Sequence, residues 1–217
     1  MEVSRCRVQV YCGLTSGLAM ITLSTIFLPV SGAHISPTVS VALAVIRRIS
    51  PVRALGHLLA QSGGAIAGAS VMLAFYGTFD SAGRGDEAVF GLEFLLTYMI
   101  VLLYLRVTEH SDNLMASVAI GLSYMTANTA FRGAVNPAFA LGRSFVENDF
   151  DNLWLFWLGP MLGGSCAALC HEYIFNEQKD VHLSITNLST SSNPDTDNEE
   201  ADIRFYLHKT SFSCSYN

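Results

Sequence analysis

The sequence predicts an all-α membrane protein of two inverted halves, each with a short helix that enters the bilayer without crossing it. Three observations lead there. The 217-residue chain is 51% hydrophobic and 14% charged, whereas a soluble domain carries about 25% charged residues. Five apolar stretches, 8–30, 53–76, 88–106, 113–131 and 153–175, approach the roughly 20 residues a bilayer requires. Two shorter apolar pieces, 37–47 and 137–146, recur at one fixed spacing.

The first stretch, 8–30, follows Arg5 and Arg7 and superficially resembles a leader. It is long, contains Gly, Ser and Thr, and lacks a small-residue cleavage site before a polar start, so it reads as a span. The piece 37–47 begins at Pro37 after Ser36. Proline suits the first helical turn, where its missing N–H is not needed, and Ser suits the cap before it. The second span, 53–76, has His57 near its start, a packed or interfacial residue on this reading, and a small-residue run through Gly63, Gly64 and Gly68. A polar connection, 77–87, leads to span 88–106, which contains a lone acid, Glu93. A carboxyl inside a membrane segment signals either a functional group or a group that holds backbone N–H donors. After the short connection 107–112 comes span 113–131, and then the piece 137–146, which begins at Pro137 after Asn136. The last span, 153–175, opens with Trp154 and Trp157, as anchors at a membrane interface do. From 177 onward Ser, Thr, Asn and acidic residues dominate, and the region reads as a disordered cytoplasmic tail. The organisation is a helical domain over 1–176, with half-helices 37–47 and 137–146, followed by the tail 177–217.

The repeat has an offset of 100 residues. Ser36-Pro37 answers to Asn136-Pro137, and Gly63-Gly64 to Gly163-Gly164. Three spans separate the two short helices, so the second enters from the opposite face. Two such helices meet near the midplane with their N-termini facing each other. Their unsatisfied N–H groups and positive dipole ends then create a narrow polar path that opposes cations.

Ser31-Gly32-Ala33-His34-Ile35-Ser36-Pro37 and Val135-Asn136-Pro137-Ala138 resemble the paired Asn-Pro-Ala loops of the major intrinsic proteins, the aquaporins and glyceroporins. Phe156-Trp157-Leu158-Gly159-Pro160 with Gly163-Gly164 is similar to their last span. Arg48-Ile49-Ser50-Pro51-Val52-Arg53-Ala54 and His171-Glu172-Tyr173-Ile174-Phe175-Asn176 resemble the insect big brain subgroup. The resemblance implies an aquaporin-like right-handed bundle and a homotetramer with one pore per subunit in the plasma membrane. It further implies passive flow of water, small neutral solutes or monovalent cations, and a role in neurogenesis and Notch-linked cell fate. It assigns the pore motifs to Ser36, Pro37, Thr38, Asn136, Pro137 and Ala138.

The departures are specific. Ser36 and Thr38 replace Asn and Ala, which alters the donors at the midplane. The family's arginine three residues after the second Asn is Phe139 here. The constriction further takes Ser16 and either Asn128 or Tyr124, depending on whether residues are counted from Gly121 or back from Asn136. Glu93 matches the family's fourth-span acid beside the pore, and His34 either lines the inner mouth or holds the loop. The family has six spans and this chain begins at what resembles the second. Placing Arg47, Arg48, Arg53, Arg106 and Lys179 inside satisfies the positive-inside rule but leaves Arg5 and Arg7 outside, which a preceding span would repair. A truncated isoform or fragment is therefore expected, and a non-conducting structural or signalling protein with tail partners is the second reading.

The five cysteines have no metal-ligand spacing, and no basic stripe suggests nucleic acid. No nucleotide loop, nucleophile elbow or cofactor fingerprint is present. The expectation is a protein that is not an enzyme and has neither cofactor nor metal.

Overall fold

In the computed structural model of the chain, residues 2–76, 87–130 and 134–175 are described. They form seven α-helices: α1 (Glu2–Ser31), α2 (Pro37–Val45), α3 (Pro51–Tyr76), α4 (Glu87–His110), α5 (Asn113–Ala130), α6 (Pro137–Glu147) and α7 (Leu153–Cys170). A π-helical turn follows over His171–Phe175. The polar connection expected at 77–87 lies outside the described residues apart from its last position, which opens α4. The expected tail, 177–217, lies outside them entirely. Of the chain's second compact unit, Glu172–Asn217, only Glu172–Phe175 are described.

Among the described residues, four helical segments are long and apolar enough to cross a membrane: Arg7–Ser31, Pro51–Phe75, Ala88–His110 and Leu153–Phe175. Helix α5 has 18 residues and is less apolar, because Ser117, Ser123, Thr126, Asn128 and Thr129 lie along it. These residues keep their polar groups within the helix. Ser117 Oγ donates to Asn113 O, Thr126 Oγ1 to Leu122 O and Thr129 Oγ1 to Met125 O. Such back-bonding satisfies hydroxyls where water is absent.

The two short helices are built as the sequence predicts, with small changes at their ends. Helix α2 stops at Val45, two residues before the expected end, because Arg47 adopts a left-handed φ of 59° and Arg48 N bonds back to Leu43 O at 2.8 Å. Helix α6 runs to Glu147, one residue further, and is closed by Asn148 at a left-handed φ of 51°.

The packing repeats the sequence offset. Helix α1 lies along α5, α3 packs on α6 as α7 packs on α2, and α2 touches α3 as α6 touches α7. Helix α4 packs along α7 and α5 and has no counterpart in the first half among the described residues. Lipid is as apolar as leucine, so close contacts of small residues replace the hydrophobic effect as the main source of cohesion. A Cβ on Gly17 would come within 2.9 Å of Gly121 O, and one on Gly142 within 2.5 Å of Ala65 O. Those glycines let α1 approach α5 and α6 approach α3. On α7, Gly163 lies against the Phe94 backbone and Gly164 against Thr38 and Val101. Their repeat-mates on α3, Gly63 and Gly64, have nothing within 4 Å of the Cβ position, and neither has Gly68. Among the described residues nothing covers that face of α3, with Val52 81%, Leu59 67% and Phe75 80% exposed.

The core lies around α2. Val39, Leu43, Val101, Leu105, Ile120, Tyr124, Val135 and Ala167 are buried in one cluster drawn from both halves.

Candidate functional site: the meeting point of the half-helices

Each half-helix begins with the same capping chemistry. Ser36 Oγ accepts from Thr38 N at 3.3 Å, and Asn136 Oδ1 accepts from Ala138 N at 3.1 Å. Both cap residues are in extended backbone, and Pro37 and Pro137 follow at the first helical position. The two tips touch, with Asn136 Nδ2 donating to Ile35 O at 3.3 Å. One side chain of the second loop therefore caps its own helix and binds the loop of the first.

The loop before α6 is tied down by Glu93. Its carboxylate accepts from Ala134 N at 2.8 Å and from Val135 N at 3.0 Å, and the side chain is fully buried on α4. Val135 is a β-branched residue at a φ of 47°, a left-handed conformation that costs about 1–2 kcal/mol for an L-residue. The charged hydrogen bonds from Glu93 hold it there. The loop before α2 makes its turn differently, with Gly32 and Ala33 at positive φ and Tyr104 Oη donating to Gly32 O.

The motif residues do not share one environment. Ser36, Pro37, Thr38, Pro137 and Ala138 are buried, and Asn136 is partly exposed. Thr38 Oγ1 lies buried without a hydrogen-bond partner. Of the expected constriction residues, Phe139 sits in the first turn of α6 and is 59% exposed. Ser16 lies half-buried on α1, its Oγ donating to Gly13 O at 2.9 Å. Asn128 is half-buried on α5 and donates to Tyr124 O at 2.9 Å. Tyr124, the alternative at that position, is buried in the core cluster.

His34, expected in the loop, packs against His57 of α3 with ring centroids 4.8 Å apart. Gln61, one turn along α3, donates through Nε2 to His34 O and, at 3.1 Å, to Ser40 Oγ. Sequence reasoning placed His57 as a packed or interfacial residue and passed over Gln61. The signal was their four-residue spacing, which puts both on one face of α3.

A second polar cluster lies away from the tips. Arg48, just beyond α2, pairs with Glu109 near the end of α4, and His171 Nε2 lies 3.6 Å from Glu109 Oε2. Among the described residues no three His, Cys, Asp or Glu side chains come together as a metal site.

The family signature described as Major intrinsic protein matches residues 3–171. The chain is 42% identical over 177 residues to the neurogenic protein big brain of Drosophila melanogaster, which covers 76% of this chain and 25% of that one. It is 31% identical over 182 residues to human aquaporin-1, covering 76% of this chain and 68% of the relative. The lens fiber major intrinsic protein of Gallus gallus is 35% identical over 178 residues, covering 73% and 67%. The chain therefore spans about a quarter of the length of big brain and about two thirds of the length of the vertebrate relatives. Among solved structures, the aquaglyceroporin from Plasmodium falciparum superposes with a TM-score of 0.72 at 21% identity, over 80% of this chain and 85% of that one. That likeness carries the fold.

Proposed function

The chain belongs to the major intrinsic protein family of membrane channels, and on that premise we propose that it is a passive transmembrane channel for water, small neutral solutes or monovalent cations. The observation that carries the proposal is the contact between two capped half-helices through Asn136 Nδ2 and Ile35 O. It brings two capped helix N-termini, each the positive end of a helix dipole, to one point at the level of the core. Polar solutes are oriented there without any covalent step.

Phe139 gives the selectivity its character. It contributes neither a charge nor hydrogen-bond donors where the family resemblance supplies an arginine, so the path lacks a fixed cation at that level. Ser16, Asn128 and Phe139 form the proposed constriction, Ser36, Pro37, Thr38, Asn136, Pro137 and Ala138 the motifs, and Glu93 and His34 their support. The proposed assembly is a homotetramer in the plasma membrane, with 1–176 as the channel domain and 177–217 as a cytoplasmic tail that recruits partners. Likeness to the neurogenic protein big brain brings a role in neurogenesis into the proposal. Vesicles reconstituted with the chain test the channel reading: osmotic swelling reports water and solute flow, and voltage clamp in oocytes reports ion current. Absence of every flux from protein folded at the surface rejects it.

A second reading, a structural or signalling protein that keeps the fold without conducting, is favoured by one observation. Ser36 is 1% exposed, so the first cap presents almost no surface to a permeant. Deleting 177–217 and scoring a cell-fate phenotype tests the tail's part in that reading, and an unchanged phenotype removes it.

A further inference from the structure

We propose that His34 and His57 form a binding site for a divalent transition-metal ion, of the class of Ni²⁺, Zn²⁺ or Cu²⁺, at the entrance beside α2. The two rings come from different elements, with centroids 4.8 Å apart and planes tilted by 39°. Imidazole binds these metals through a ring nitrogen at about 2.0–2.1 Å, and a centroid separation of 4.8 Å is short enough for two imidazoles to share one ion. His34 Nδ1 is buried and has no hydrogen-bond partner. A buried imidazole nitrogen without a partner is destabilising, and a metal ion is one of the groups that satisfies it.

The surroundings hold the pair in place. Gln61 fixes the His34 backbone by donating to its carbonyl, and its own Oε1 is buried without a partner. The Tyr104 ring meets His34 edge-on at 6.4 Å. His57 remains partly exposed, so an ion has a route in and water can complete its coordination. The cation that bears on both rings is Arg53, one turn before His57 on α3 and exposed. With that cation nearby and no carboxylate in the pair, affinity must come from imidazole lone pairs. That favours d-block ions over Ca²⁺ and Mg²⁺, which take oxygen ligands. An ion held here would obstruct the entrance, a consequence that rests on the channel reading; the binding itself does not.

The test is a calorimetric titration of the full chain in detergent with Ni²⁺, repeated with His34→Ala, His57→Phe and the double substitution. One shared site predicts that each single variant binds one equivalent fewer than the parent and that the double variant loses no more. Equal stoichiometry in parent and single variants, or two equivalents lost in the double, overturns the proposal. A second measurement needs no variant. Diethylpyrocarbonate modifies accessible imidazoles, and Ni²⁺ should protect His57, as read by mass spectrometry, while Ca²⁺ and Mg²⁺ should not. Modification of His57 unchanged by Ni²⁺ also overturns it.

Discussion

At the scale of single residues, Glu93 and Phe139 carry the sharpest consequences. Glu93→Gln removes one anionic acceptor from the Ala134 and Val135 donors. A hydrogen bond to a charged group contributes about 1.5–3 kcal/mol, so the variant should lose about 2 kcal/mol of stability. Thermal unfolding in nanodiscs checks this, and an unchanged midpoint would mean that the carboxylate does not anchor the strained Val135. Phe139→Arg should raise selectivity for water and lower any cation current, measured side by side in oocytes. An identical cargo profile would place Phe139 off the constriction. Asn136→Ala removes both the cap of α6 and the donor to Ile35. It should cost about 1–2 kcal/mol, more than Ser36→Ala, which removes the cap on Thr38 N. Much of this was legible in the sequence, since Ser36 and Asn136 precede prolines and Glu93 stands alone in an apolar run. The meeting of His34 with His57 was not. Nothing in the spacing of residues 34 and 57 indicates that a loop folds against the next helix.

At the scale of elements, the half-helices and spans were readable because proline starts and apolar lengths are local signals. Their ends were less so. The stop of α2 at Val45 depends on Arg47 turning left-handed, a conformation that arginine does not announce. The partners of the glycines were also hidden. The offset of 100 equates Gly63 with Gly163, yet Gly163 abuts Phe94 while Gly63 meets nothing. Matched substitutions exploit this difference. Gly163→Val should separate α7 from α4 and abolish a monodisperse folded species, whereas Gly63→Val should leave the chain's elution profile and melting midpoint nearly unchanged. Equal damage at both positions would show that the α3 face is covered in the folded protein.

At the scale of the whole molecule, the arrangement of the two halves follows from counting crossings between Pro37 and Pro137. The structure adds the side chain that joins them, Asn136. It also adds the link of Arg48, Glu109 and His171, which ties the segment after α2 to the ends of α4 and α7. No sequence pattern brings residues 48, 109 and 171 together. Glu109→Gln should loosen that junction by removing the carboxylate that pairs with Arg48. Faster amide hydrogen exchange over 46–50 would register the change, with exchange in α1 unaltered.

The glycines of α3 have a consequence for the solvent rather than for the protein. With no side chains at Gly63, Gly64 and Gly68, the helix has a shallow trough on this face. An acyl chain lying in it gains dispersion contacts along several methylenes that a ridge of leucines would deny. Where this face meets lipid, straight saturated tails should reside there longer than kinked ones.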